Sequence, residues 1–169
     1  MRFILPPSSF ILLPFPKIAL NFSLMTKPVI EAEVRGVAPT PSGCAVFLGN
    51  DKKVFIIYVD NAVGAALAAL MSGVRKERPL THDLMSHLMR ALGAKVERVL
   101  INDMREGTYF ARLIVSAENE LQARKIIELD ARPSDAMALA LAWKAPIYIS
   151  REVWNDAEDM SDVLRQMGA

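Results

Sequence analysis

The chain has 169 residues, 20 of them basic and 19 acidic, with 52% hydrophobic and 23% charged content. That length and balance suit one globular domain with a real core and exclude a disordered chain. The single cysteine, Cys44, excludes an internal disulfide framework, fits a reducing, cytoplasmic compartment, and has no His or Cys partners at zinc spacing.

The first 25 residues stand apart. Phe3 to Leu24 is apolar but broken by Pro6, Pro7, Pro14 and Pro16, so a membrane helix would be interrupted repeatedly. The stretch lacks a small-x-small cleavage site before Met25, and it reads as a leader outside the domain. Either the start codon lies upstream of a true start at Met25, or the segment is a targeting peptide. With it set aside, along with Arg2 and Lys17, 18 basic residues face 19 acidic ones. A nucleic-acid partner would therefore have to meet a local basic patch rather than a bulk charge excess.

From Pro28 the pattern is strand-like. Val29 to Val37 alternates loosely, Pro39 to Gly43 is a turn cluster, and Cys44 to Leu48 is an apolar run in which Cys44 reads as a small buried residue. Asn50-Asp51 marks a hairpin turn, and Val54 to Val59 reads as a strand buried on both faces. Asp60 to Ser72 is an Ala- and Leu-rich helix stopped by Gly73. A second helix begins at Thr81 as N-cap and carries Leu84, Leu88 and Leu92 at spacing four, the signature of an apolar face. The order then returns. Val96 to Asn102 and Thr108 to Val115 flank the hairpin signal Glu106-Gly107, Lys125 to Leu129 is a third strand, and Pro133 to Trp143 is a helix with Pro in its first turn. A short strand, Ile147 to Ile149, precedes Ser150 as the cap of a last helical stretch.

These elements predict an α+β fold. Two strand-strand-strand-helix-helix repeats, offset by 72 residues, would share one curved, barrel-like mixed sheet in a single domain. The domain is expected over residues 26–157, followed by a helical tail over 158–169.

Two segments place polar residues where helices begin: Arg78-Pro79-Leu80-Thr81-His82-Asp83 and Asp130-Ala131-Arg132-Pro133-Ser134-Asp135. A helix N-terminus offers free N–H groups and partial positive charge, and an adjacent Arg adds a bidentate donor. Arg78, Thr81, Arg132 and Ser134 are thus candidate phosphate ligands. The plainer reading is that Thr81, Asp83 and Asp135 serve only as caps and dipole partners, with the arginines paired to the carboxylates. His82 beside Asp83 is a candidate general base or metal ligand, or else a polar residue of an exposed first turn, while His87 reads as a surface residue. Metal-assisted phosphodiester cleavage needs clustered carboxylates. Asp130 and Asp135 are the candidate ligands for Mg²⁺ or Mn²⁺, with Asp83 and Asp103 as further members, and no organic cofactor is expected.

At these residues the chain resembles the bifunctional nuclease domain family, also called the DNase-RNase domain. Two blocks carry the resemblance: RPLTHDLMSHLMRALGAKVERVLINDMREGTYFARLIV from Arg78 to Val115, and LDARPSDAMALALAWKAPIYIS from Leu129 to Ser150. A weaker similarity reaches back to about Val29. The resemblance implies two strand-rich repeats around a barrel-like sheet and cleavage of both DNA and RNA. It places Asp60 and Val63 where the family commonly has a glycine and then a glutamate opening the helix. If that glutamate serves the site, it is lost here unless Asp60 replaces it. No motif of the family spells out its catalytic residues; Asp130, Asp135, His82 and Asp83 are the candidate catalytic set because they lie in the matching blocks and have usable chemistry. The function so implied is a nuclease of low sequence specificity acting on DNA and RNA, with no membrane partner and with homo-oligomerisation left open. The alternative is a non-enzymatic binding or regulatory module whose Arg-lined helix N-termini take a phosphorylated ligand or a protein partner.

Overall fold

Long strands rich in β-branched residues build most of the molecule. The structure, a computed structural model, describes residues 28–73, 77–118 and 124–168, so the expectations for residues 1–25 lie outside the described residues. Strands β1 (Val29–Thr40), β2 (Gly43–Gly49) and β3 (Val54–Val59) form an antiparallel meander, followed by helices α1 (Asn61–Met71) and α2 (Thr81–Ala91). A second meander, β4 (Ala94–Arg105), β5 (Thr108–Glu118) and β6 (Arg124–Ala131), leads into α3 (Pro133–Trp143). Strand β7 (Ile147–Ser150) and the short helices α4 (Arg151–Asp156) and α5 (Ser161–Gln166) complete the order.

All seven strands join one mixed sheet in the order β3-β2-β1-β7-β4-β5-β6, with β7 pairing antiparallel to β1 and parallel to β4. The sheet is open, with β3 and β6 as its edges, so the expected barrel-like closure is not formed. The strand-strand-strand-helix order does occur twice. The expected helix-helix ending occurs only after the first meander, because in the second half β7 intervenes and fills the middle of the sheet. As an edge strand β3 is not buried on both faces: Tyr58 is exposed, and β2 is the strand buried along its whole length.

Side chains of alternate residues choose the faces. Val99, Ile101, Ala111, Leu113 and Val115 point to one face, where α1 and α3 pack side by side. Helix α3 is buried on nearly every side, with Ala136, Met137, Leu139 and Ala140 in the core. Fully burying a side chain the size of Met137 or Leu139 contributes about 1.5–3 kcal/mol. A smaller cluster joins Phe47, Ala45, Val54 and Ala38 to Leu164 of α5, so the C-terminal segment is fastened to the sheet. The β4–β5 turn is as its sequence demands: Glu106 and Gly107 have φ of 50° and 77°, both left-handed, as a two-residue hairpin requires. Helix α1 sits close on β2 because residue 64 is glycine. A Cβ there would lie 2.3 Å from Cys44 Sγ.

Candidate active site

The N-terminal ends of α1, α2 and α3 meet at one place. Helix α1 opens at Asp60, whose carboxylate caps it by accepting from the Val63 N–H at 2.9 Å. Helix α2 opens at Leu80 rather than Thr81, because Asp83 reaches back and accepts the Leu80 N–H at 2.8 Å. That makes Leu80 the boundary residue and leaves Thr81 exposed at the first helical position. Helix α3 opens at Arg132, ahead of Pro133, Ser134 and Asp135.

The three ends are tied together through Asp135. Arg132 grips it with two donors, Nε to Oδ2 at 2.8 Å and Nη2 to Oδ1 at 3.2 Å. His82 Nε2 lies 3.2 Å from Oδ1 of the same carboxylate. Partial burial pushes the Asp135 carboxyl up, but the Arg132 fork and His82 outweigh it and hold the group below its ordinary range. The hydrogen bonds and charge of Asp135 in turn hold the proton more firmly on Arg132, and the Asp60 carboxylate adds to that field. Asp60 is therefore a member of the site. Val63 instead packs against the hydrophobic core, so the helix-opening position at which the resemblance implied a glutamate holds no charge here.

A second set of contacts seats α2 on α3. His82, Ser86 and Arg90 recur every four residues and so share one helix face, as do Asp135, Leu139 and Trp143 on α3. Trp143 Nε1 donates to Ser86 Oγ at 3.1 Å, and the Arg90 guanidinium lies 4.5 Å from the Trp143 ring centre. Both pairs of partners ascend together, so the two helices run in the same sense and keep their N-terminal ends adjacent. This stripe holds His82 with only 14% of its side chain exposed, instead of in the exposed first turn that was the alternative.

The candidates separate as follows. The structure brings together His82, Arg132 and Asp135, with Asp60 close by and Ser134 buried in the first turn of α3. Ser134 adds a backbone N–H that has no partner within its helix. Asp83 is occupied as a cap, and Arg78 is exposed in the segment leading into α2. Asp130 turns away. It pairs with Arg112 at 2.9 Å, and Arg112 alternates with the core residues Ala111 and Leu113, so this ion pair lies on the opposite face of the sheet from α3. Asp103 is engaged by Arg105 and by the Met104 N–H. His87 is on the surface.

This donor set does not fit a divalent ion held jointly by Asp130 and Asp135. They engage partners on opposite faces, both oxygens of Asp135 are taken by Arg132 and His82, and no group of three or more His, Cys, Asp or Glu suited to a metal occurs among the described residues.

Sequence reasoning missed Ser86 and Trp143, which left a signal in the spacing of four that links His82, Ser86 and Arg90 on one helix and Asp135, Leu139 and Trp143 on the other. Asp60 entered it only as a possible replacement for a glutamate, not through its place beside Arg132.

Among known proteins, the model of the bifunctional nuclease domain family matches residues 46–161 of this chain. An uncharacterized protein of Mycobacterium tuberculosis is 38% identical over 104 residues, which cover 62% of this chain and 58% of the relative. Bifunctional nuclease 1 of rice (Oryza sativa) is 31% identical over 106 residues, 62% of this chain and 31% of the plant protein. Bifunctional nuclease 1 of Arabidopsis thaliana is 29% identical over 85 residues, 50% of this chain and 26% of that one. The chain thus matches little more than half of the mycobacterial relative and about a third or less of the plant ones. No helix among the described residues is long and apolar enough to cross a membrane.

Proposed function

The chain belongs to the bifunctional nuclease domain family, and from that premise we propose that it hydrolyses phosphodiester bonds of DNA and RNA with little sequence specificity, at the meeting point of α1, α2 and α3. The observation that carries the reading is the Arg132–Asp135–His82 network at three helix N-termini. Arg132, the first-turn N–H groups and the summed helix dipoles supply the positive field that a phosphodiester needs. Asp135 orients His82, whose second ring nitrogen, Nδ1, is left to take a proton from the attacking water. Arg78 and Thr81, exposed on the approach to α2, would extend the phosphate track. Substrate phosphate would compete with Asp135 for the Arg132 fork, so binding loosens the ion pair.

A second reading is a binding module for a phosphorylated ligand. The near balance of 18 basic and 19 acidic residues outside residues 1–25 favours it, since a nucleic-acid enzyme ordinarily carries a basic excess. One experiment separates the two. The full chain is incubated with single-stranded DNA and RNA, with and without added Mg²⁺ or Mn²⁺, beside Asp135→Asn and His82→Asn. The nuclease reading expects cleavage by the parent and a loss of about 10²-fold or more in each variant. No cleavage under any condition, with retained binding of a phosphorylated oligonucleotide, promotes the binding module. Full activity in both variants keeps the nuclease and moves its site.

A further inference from the structure

The first turn of α3 holds a polar side chain that the fold leaves unused. Ser134 is only 7% exposed, yet its hydroxyl has no hydrogen-bond partner among the described residues. Nor is its oxygen closed off from solvent, as Thr40 Oγ1, Asn102 Oδ1 and Arg112 Nε are. It meets solvent at the helix end, because helical side chains tilt towards the N-terminus and the body of α3 is buried on nearly every side. The backbone beside it is free as well. Pro133 has no N–H, Arg132 offers no side-chain cap, and the first helical bond runs from the Ala136 N–H to the Arg132 carbonyl. The N–H groups of Ser134 and Asp135 therefore have no acceptor within the helix. At the starts of α1 and α2 such donors are taken by carboxylates, Asp60 on the Val63 N–H and Asp83 on the Leu80 N–H.

We propose that this turn is a second phosphate subsite, in which the Ser134 hydroxyl and N–H donate to the oxygens of a phosphate other than the one beside His82. Ser134 and Asp135 diverge by about 100° around the helix axis, and it is the Asp135 side that carries His82. A phosphate held by Ser134 is therefore offset from the proton acceptor and is not the one attacked. The nearby carboxylates are already engaged, Asp60 as the cap of α1 and Asp135 by Arg132 and His82, while Nη1 of Arg132 has no partner among the described residues. Hydroxyl, N–H and guanidinium are all donors, which is what the oxygens of a phosphate require. The substrate class so selected is a strand that carries a further phosphate beside the cleaved linkage. No base or sugar enters this contact, so DNA and RNA satisfy it alike. That the subsite flanks a cleaved linkage rests on the nuclease reading; that it binds phosphate does not.

Two measurements on the full chain test it. In the first, isotope-labelled parent and Ser134→Ala are titrated with inorganic phosphate, against chloride at matched ionic strength, and the amide resonances are followed. The Ser134 and Asp135 amides of the parent should move most and should saturate with a Kd of the order of 1 mM. Ser134→Ala should weaken that binding about tenfold, the loss of one hydrogen bond to a charged group. It should melt no lower than the parent, since no partner in the fold loses a bond. Shifts that are absent, that centre elsewhere, or that persist unchanged in Ser134→Ala overturn the subsite, and a lower melt assigns the hydroxyl to the fold instead. In the second, hydrolysis of thymidylyl-thymidine is compared with that of the same dinucleotide phosphorylated at both ends. The parent should favour the phosphorylated form by about tenfold in kcat/KM, and Ser134→Ala should lose most of that preference. Equal hydrolysis of the two by the parent overturns the flanking place. A parent that cleaves neither, yet binds phosphate at Ser134, fails the nuclease reading and upholds the subsite.

Discussion

His82 Nε2 and Asp135 Oδ1 stand 3.2 Å apart across 53 residues of chain, and this contact joins the first turns of α2 and α3. It does for the site what neither helix does alone. It turns an imidazole from the surface into the space between three helix ends, and it adds a second partner to a carboxylate that Arg132 already holds. Because Asp135 serves both Arg132 and His82, its charge state affects the fold and the chemistry together.

The pH dependence of stability follows from that sharing. The folded state holds the Asp135 carboxyl below its ordinary value, which for an unfolded chain is about 3.9. Ionised Asp135 therefore contributes stability in full above about pH 4, and the contribution is lost as pH falls through the lower folded value. Asp135→Asn should melt below the parent at neutral pH, by an amount typical of a partly exposed ion pair, about 0.2–1 kcal/mol. The gap should close as pH falls below about 4 and through the lowered folded value. Thermal melts of both proteins across that range check it, and a gap that stays constant would show that the network does not hold the charge.

The order of strands and helices was legible because local chemistry decides it: β-branched runs make strands, Glu106-Gly107 makes the hairpin, and Pro133 and Gly73 bound their helices. The open sheet was not legible, because β7 is four residues long and nothing in Ile147–Ser150 says that it inserts between β1 and β4. The pattern of α2 was misleading. Leucines at spacing four promise burial, yet they face water while His82, Ser86 and Arg90 face the protein. Of the site, His82, Arg132, Ser134 and Asp135 were legible from their place at helix starts. Asp130 was assigned with Asp135 because a strand end and the next helix start can converge across a short turn, but strand alternation sends it to the far face to meet Arg112.

Gly64→Ala should be among the more destabilising small changes. The added methyl would meet Cys44 Sγ at 2.3 Å and Cys44 Cβ at 2.4 Å, forcing α1 off β2 at an overpacking cost of about 1–3 kcal/mol. Cys44→Ala should not rescue it, since the Cβ clash remains. Denaturant melts of both single variants and the double variant decide the matter. A neutral Gly64→Ala would mean that α1 shifts freely.

Trp143→Phe should loosen α2 while leaving α3 in place. The ring that faces Arg90 is largely kept, and the donor to the buried Ser86 hydroxyl is lost. A net cost of about 0.5–1.5 kcal/mol is expected. Because α2 carries His82, amide exchange in α2 should quicken more than in α3. Equal acceleration in both helices would show that the hydrogen bond does not seat α2.

Asp60→Asn separates the structural duty of this residue from its place in the site. Asn is as good an N-cap as Asp, so the bond to the Val63 N–H survives and the melt should move by only a few tenths of a kcal/mol. The negative charge beside Arg132 goes, however, and with it part of the field acting on that guanidinium. If Asp60 takes over the work of the glutamate that Val63 does not supply, cleavage of single-stranded DNA and RNA should fall by about tenfold or more at unchanged stability. If Asp60 only caps α1, activity should hold or rise, because removing a carboxylate lowers the repulsion met by an incoming phosphate. Parallel melts and hydrolysis rates of the parent and Asp60→Asn distinguish the two outcomes, and a fall in both stability and rate would assign the residue to the fold instead.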